Sequence, residues 1–163
     1  CSSFSKTLAP GARIGFIEPG RYREHLRAVK FMLSGATSVL PQEMLADYLA
    51  SGRYERHLRR LRQRCAAQIA QVSQQVQEAF PEGTRLSRPQ GGFVLWVELP
   101  GEVDTHSLYD LASRSGVDFV PGTMFSASGR YRNCLRLNCG YPVTAGTESA
   151  IRRLGELARR LAP

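Results

Sequence analysis

Ser3-Phe4-Ser5-Lys6-Thr7-Leu8-Ala9-Pro10-Gly11-Ala12-Arg13-Ile14-Gly15 is the stretch that decides how this chain reads. Two hydroxyls, Ser3 and Ser5, and one guanidinium, Arg13, stand on either side of a Pro-Gly turn. Hydroxyl and guanidinium donors that converge at a turn make a phosphate-binding set. Among them lies Lys6, which with Lys30 makes the only two lysines among 22 basic residues. An arginine cannot give up its proton in a protein, whereas a lysine amine can, and it is then a nucleophile. A phosphate site beside a nucleophilic amine suits an aldehyde that carries a phosphate.

Outward from this stretch the pattern becomes helical. Tyr22, Leu26, Val29 and Leu33 recur at steps of four, three and four and predict a helix between Gly20 and Gly35. Pro41 falls in the first turn of a second helix and Gly52 just past its end. Met44, Leu45, Tyr48 and Leu49 are expected to form its buried face. Tyr54, Leu58, Leu61, Cys65, Ile69, Val72 and Val76 then form one stripe that ends near Phe80-Pro81. Roughly 26 residues at 1.5 Å each predict a helix of about 40 Å, long enough to bridge two lobes. Ile14 to Ile17 reads as a short buried strand.

After Pro81 short strands are expected at 84–88, 93–99, 117–120 and 134–138, the second of them central. Trp96 and Phe93 are expected in the core. Asp104 is the expected N-cap of a helix that Gly116 closes. A last helix carries Ile151, Leu154, Leu157 and Leu161 on one face, with Glu148 near its start and Arg159 and Arg160 near its end, as the helix dipole favours.

Composition narrows the class. With 163 residues, 42% hydrophobic and 22% charged, the chain can bury a core and disorder is unexpected. No apolar run approaches the roughly 18 residues that span a bilayer, and the N-terminus has neither an initiator Met nor the apolar core of a signal peptide. The expectation is an excerpt of a longer cytoplasmic protein. Cys1, Cys65, Cys134 and Cys139 form no C-x-x-C pair and the three histidines are scattered, so no metal site is read. The thiols are expected to be reduced. Residues 1–80 carry 12 basic and 6 acidic groups. Six of those arginines lie between Arg53 and Arg64. They fit either a nucleic-acid stripe or the solvated face of an amphipathic helix, and the stripe at 54, 58, 61 and 65 favours the second.

The Ser3–Gly15 run resembles the cofactor-lysine motif of fold-type I pyridoxal-phosphate enzymes, the aspartate aminotransferase superfamily. Within it, CSSFSKTLAPGARIGF (1–16) and SGRYERHLRRLRQR (51–64) resemble the aminotransferase-like domain of MocR-type, GntR-family transcriptional regulators. The likeness covers the C-terminal half of that domain. The competing S-x-x-K pattern of penicillin-binding proteins needs S-D-N and K-T-G partners, and neither tripeptide occurs.

The resemblance implies an α/β fold, a fragment of a pyridoxal-phosphate-dependent transferase. It would have part of the large cofactor domain at 1–52, a connecting helix at 53–80 and a small α+β domain at 81–163. It implies pyridoxal 5'-phosphate as cofactor, with Lys6 as the residue that condenses with it and shuttles protons. Ser3, Ser5 and Arg13 would hold the phosphate, and Arg136 would grip a ligand carboxylate. Gly91 and Gly92 would let backbone approach the site. The implied role is an effector-sensing domain of a DNA-binding regulator, dimeric, responsive to an amino acid or amine, with DNA contacted by an upstream winged helix. The alternative is an aminotransferase working between an amino acid and a 2-oxo acid. Groups that complete the pocket lie upstream in the superfamily, so the chain alone is expected to bind the cofactor poorly, to be inactive and to expose apolar surface within 1–52. His25, His57 and His106 are given no role.

Overall fold

A computed structural model describes residues 1–101 and 103–162. The chain forms two compact units, residues 1–61 and 62–163.

The first unit opens with an antiparallel ribbon of two short strands, β1 (Ser2–Ser3) and β2 (Gly15–Phe16), in register Ser2↔Phe16 and Ser3↔Gly15. Helices α1 (Arg23–Ser34) and α2 (Val39–Ala50) follow, and then the first turns of α3 (Arg53–Ala79). α1 ends at Gly35, whose φ of +56 a side chain would strain. Gly52 separates α2 from α3 with φ +67.

The apolar stripe of α2 does not form the buried face expected of Met44, Leu45, Tyr48 and Leu49, whereas apolar surface within 1–52 is exposed, as expected. Leu45 is buried and Tyr48 half-buried, but Met44 and Leu49 are exposed. Val29 and Leu33 of α1, and Tyr22 just before it, are exposed. The Ile14–Ile17 run is likewise a correction: Ile14 alone is buried, and Phe16 and Ile17 face outward. In each case the periodicity is right, but no element of the described chain covers that face.

The second unit is an α+β layer. Its sheet has the order β3-β4-β6-β5, with every neighbouring pair antiparallel: β3 (Arg85–Leu86), β4 (Val94–Glu98), β5 (Val120–Pro121) and β6 (Cys134–Asn138). The strands are shorter than the sequence suggests at 84–88 and 93–99, and the third lies at Val120–Pro121 rather than 117–120. β4 is central, as expected. Its alternation is plain: Leu95 and Val97 are fully buried, while Trp96 and Glu98 lie on the opposite face.

One core fills the buried side. Val72, Val76 and Phe80 from the end of α3 and its exit meet Leu95, Val97 and Leu135 of the sheet, Leu108 of α4 (Thr105–Arg114) and Leu154 of α5 (Ala145–Leu161). Burying each such side chain stabilises by about 1.5–3 kcal/mol. α3 stops where the chain reaches Pro81, because the residue before a proline is pushed out of helical geometry. Asp104 caps α4 as expected, its side chain accepting from the His106 backbone N–H at 3.3 Å. Thr144 and Thr147 form a reciprocal capping box at the start of α5.

Close helix packing depends on Gly155. A Cβ there would run into the carbonyl of Ala79. The expectation that Trp96 and Phe93 are core residues is corrected, since both are only half-buried. Trp96 sits on the face away from the core, because a strand sends alternate side chains to opposite sides.

Candidate functional site

The first unit gathers three of the residues singled out from the sequence. The β1–β2 ribbon sets position 3 opposite position 15 and so brings the two ends of the motif together. Ser3 Oγ accepts from the Ser5 N–H at 3.1 Å and donates to the Ile14 carbonyl at 3.4 Å. Arg13 Nη1 donates to Ser5 Oγ at 3.4 Å. Gly15 is required here, since a Cβ on it would lie 2.7 Å from the Ser2 carbonyl oxygen and force the ribbon apart.

Between the strands the chain turns tightly. The Phe4 N–H donates to the Ile14 carbonyl at 3.0 Å, and the Phe4 carbonyl accepts from Leu8 and Ala9 at 2.8 and 3.1 Å. Pro10 opens a single 3-10 turn over Pro10–Ala12, and Arg13 closes it in the left-handed region, with φ 52 and ψ 42. Lys6 lies in the preceding turn, over residues 5–8, and is exposed.

The donor set suits a phosphate. Arg13 uses one N–H on Ser5 and has no carboxylate partner among the described residues, so its positive charge remains for an anion. Two hydroxyls stand within the same small network. Ser3, Ser5 and Arg13 therefore fit the phosphate end of a pyridoxal phosphate, with Lys6 three residues from Ser3 in sequence.

Arg136 lies in the second unit. It sits on β6 with Leu135 and Leu137 turned toward the core, and its register partners are Trp96 on β4 and Val120 on β5. Its guanidinium lies over the ring of Phe125, 5.0 Å from the centroid. Trp96 packs edge-on against both Phe125 (5.6 Å) and Tyr131 (5.7 Å). No carboxylate pairs with Arg136 among the described residues. A half-buried guanidinium backed by a ring and unpaired with any acid can take a carboxylate through a forked pair.

The turn that carries Phe125, Gly122–Phe125, fits against β6 because Gly122 has no side chain: a Cβ there would strike the Tyr131 carbonyl and lie 2.8 Å from Cys134. Sequence reading passes over Gly122 and Phe125, and also His106, whose Nε2 lies 2.6 Å from the Thr123 hydroxyl in the same turn. In the first unit it assigns no site role to Tyr54 or His57, although both touch Thr7. Their helical spacing is visible in the sequence; that the Lys6 turn lies against them is not. Gly91 and Gly92 have open space around them within this chain. A Cβ at either would meet nothing within 4 Å, and only Gly92, at φ +82, needs the freedom.

The six arginines of α3 are exposed. All four thiols are free, Cys1 exposed and the other three buried. Burial pushes the Cys139 thiol up to about 11, with the neighbouring Cys65 adding to the shift. The Cys134 thiol is also raised, by burial first and by Glu98 second. No helix among the described residues is long and apolar enough to cross a membrane.

Known proteins are similar to this chain in sequence and fold. The family described as aminotransferase class I and II matches residues 1–154. The chain belongs to that family. The uncharacterized HTH-type transcriptional regulator YjiR of Escherichia coli K12 is 40% identical over 160 residues, which is 98% of this chain and 34% of that protein. The 2-aminoadipate transaminase of Thermus thermophilus is 33% identical over 165 residues, covering 98% of this chain and 40% of the transaminase. Among solved structures, the kynurenine aminotransferase of Pyrococcus horikoshii superposes with a TM-score of 0.88 at 31% identity, over 98% of this chain and 40% of that one. This aminotransferase class I and II chain thus has the α/β fold of pyridoxal-phosphate-dependent aminotransferases, and the family implies pyridoxal phosphate as its cofactor. The chain spans about a third of the length of the regulators it matches.

Proposed function

We propose that this chain is the C-terminal part of a pyridoxal-phosphate-binding effector domain in a MocR-type, GntR-family DNA-binding regulator. The observation that carries the reading is its likeness to HTH-type regulators: YjiR at 40% identity and YdcR, also of Escherichia coli K12, at 34%, each matched over nearly the whole of this chain. The domain limits of such a reading are a cofactor segment at 1–52, a connecting helix at 53–80 and a small domain at 81–163. The protein would work as a cytoplasmic homodimer, with DNA held by a winged helix upstream.

In this reading Arg13 neutralises the cofactor phosphate and Ser5 donates its hydroxyl to it, while Ser3 turns its hydroxyl proton from the Ile14 carbonyl to the phosphate. Pyridoxal phosphate, when bound, supplies an aldehyde that captures amines and an electron-withdrawing ring. Lys6 would hold the cofactor through its amine, and whether that amine is engaged or released would report whether effector is present. Arg136 takes the effector carboxylate in a bidentate pair, aimed by the ring of Phe125 beneath it. A ligand that binds one disposition of the domain better than another shifts the population toward it, and the attached DNA-binding segment moves accordingly.

The second reading is an aminotransferase acting between an amino acid and a 2-oxo acid. It is favoured by the 33% identity to the 2-aminoadipate transaminase, and it uses the same residues, with Lys6 also moving a proton between nitrogen and carbon. Operator binding by the full-length protein separates the two. The regulator reading expects the operator affinity or footprint to change when pyridoxal phosphate and an amino compound are added to wild type, and not to change for Lys6→Ala. Steady turnover of an amino acid with a 2-oxo acid, together with no sequence-specific DNA binding, would install the second reading instead.

A further inference from the structure

Thr7, the residue next after Lys6, is held at two atoms by α3. His57 Nε2 lies 2.8 Å from the Thr7 carbonyl oxygen. That oxygen has no proton to give, so the ring N–H is the donor. The Tyr54 hydroxyl donates to Thr7 Oγ1 at 3.0 Å. Tyr54 and His57 are three residues apart on one helix and therefore share a face.

The brace is itself supported. The Tyr54 ring stands edge-on to Phe4 at 5.8 Å and to Tyr48 at 6.4 Å. Phe4 is the residue whose carbonyl closes the turn by accepting from Leu8 and Ala9. Main-chain bonds inside the turn thus fix its curvature, while the two α3 side chains fix where it stands. Neither Tyr54 nor His57 belongs to the Ser3–Gly15 motif, and all of these residues lie within the first unit.

We propose that Tyr54 and His57 are positioning residues for Lys6. Gripping residue 7 by both its carbonyl and its hydroxyl restricts the backbone from which the Lys6 side chain springs, and so aims the amine. The inference rests on the reading that Lys6 condenses with pyridoxal phosphate. In that reaction a bond forms between Lys6 Nζ and the aldehyde carbon, and the aldehyde oxygen leaves as water with two amine protons. A nucleophile on a braced turn meets its electrophile already oriented, whereas on a loose turn it must be ordered at each encounter.

The test uses the full-length protein freed of cofactor. Pyridoxal phosphate is added, and the growth of the near-visible absorbance that borohydride can fix to the protein is followed in time. Amide hydrogen exchange over residues 4–9 is measured without cofactor. His57→Ala and Tyr54→Phe are each expected to slow bond formation by about tenfold and to speed exchange at Leu8 and Ala9. His57→Gln places an amide N–H near the lost ring nitrogen and is expected to recover most of the rate. Lys6→Ala forms no fixed bond.

Wild-type rates in both His57→Ala and Tyr54→Phe would overturn the proposal. So would a His57→Gln protein as slow as His57→Ala, since ring packing rather than N–H donation would then matter. Tyr54→Phe removes a single oxygen, so it keeps the question open to decision if His57→Ala folds poorly. In both overturning outcomes the wild-type bond still forms. A wild-type protein giving no more fixed absorbance than Lys6→Ala would instead overturn the reading of Lys6 itself, and the positioning role with it.

Discussion

The Arg136 guanidinium lies 5.0 Å above the centre of the Phe125 ring, and that ring is in turn met edge-on by Trp96. Cation–π contacts of this kind are worth about 0.5–2 kcal/mol. Phe125→Leu keeps the apolar character and removes the ring face. It is expected to raise the Kd of a carboxylate effector by roughly 2- to 30-fold on that scale, while Arg136→Lys, which cannot form the forked pair, does more harm. Calorimetric titration of the full-length protein with amino acids checks both, and an unchanged Kd for Phe125→Leu would remove the ring from the account.

Arg13 leans on Ser5 and has no described acid to neutralise it. Hydrogen bonds to charged groups contribute about 1.5–3 kcal/mol each. Arg13→Gln is expected to weaken retention of pyridoxal phosphate by about 10- to 150-fold on that scale, and Ser5→Ala by less, since its hydroxyl is neutral. Equilibrium dialysis of the full-length protein against the cofactor is the measurement. Equal losses for the two variants would mean that charge is not what holds the phosphate.

Gly155 faces the main chain at Ala79, where α5 crosses the end of α3. Gly155→Ala would ordinarily favour a helix, by about 1 kcal/mol. Here the added methyl has no room, and overpacking costs about 1–3 kcal/mol. The net expectation is a lower Tm for the second unit. A stabilised variant would show that the two helices part more easily than their packing implies.

The Cys139 thiol is pushed up to about 11, chiefly by burial and then by Cys65. The folded state therefore keeps this proton after the unfolded chain, near 9, has lost it. The resulting stabilisation is whole below pH 9 and disappears as pH rises through 11. Two pKa units correspond to about 2–3 kcal/mol. Urea midpoints should fall between pH 9 and 11 in wild type and fall less in Cys139→Ala. Thiol alkylation at about pH 8, below the ordinary thiol pKa, should mark exposed Cys1 well before the three buried cysteines.

What can be read from the sequence follows from local rules. The stripe on α3, the Asp104 cap and the outward turn of Arg136 between Leu135 and Leu137 all depend on helical or strand period, and each stands. The convergence of Ser3, Ser5 and Arg13 is legible too, because a short ribbon pairs Ser3 with Gly15 and closes a local loop. Trp96 defeats the same reasoning. An apolar residue in a central strand has two faces open to it, and the face that Trp96 occupies is made apolar by Phe125 and Tyr131, which come much later in the chain. His57 carries no signal of its own, because it lies among arginines and its carbonyl partner at Thr7 is 50 residues away. The stripes of α1 and α2 show how period identifies an apolar face without saying what covers it: Phe31, Met32 and Leu33 are 74%, 81% and 82% exposed.

Position 13 sets comfort against purpose. Its main chain is in the left-handed region at φ 52, where a residue with a Cβ is worse off than glycine by about 1–2 kcal/mol. Evolving this protein for heat resistance alone would therefore drift toward glycine or asparagine at that place, relaxing the bend and discarding the guanidinium. Evolving it to keep its cofactor through washing would bring the arginine back.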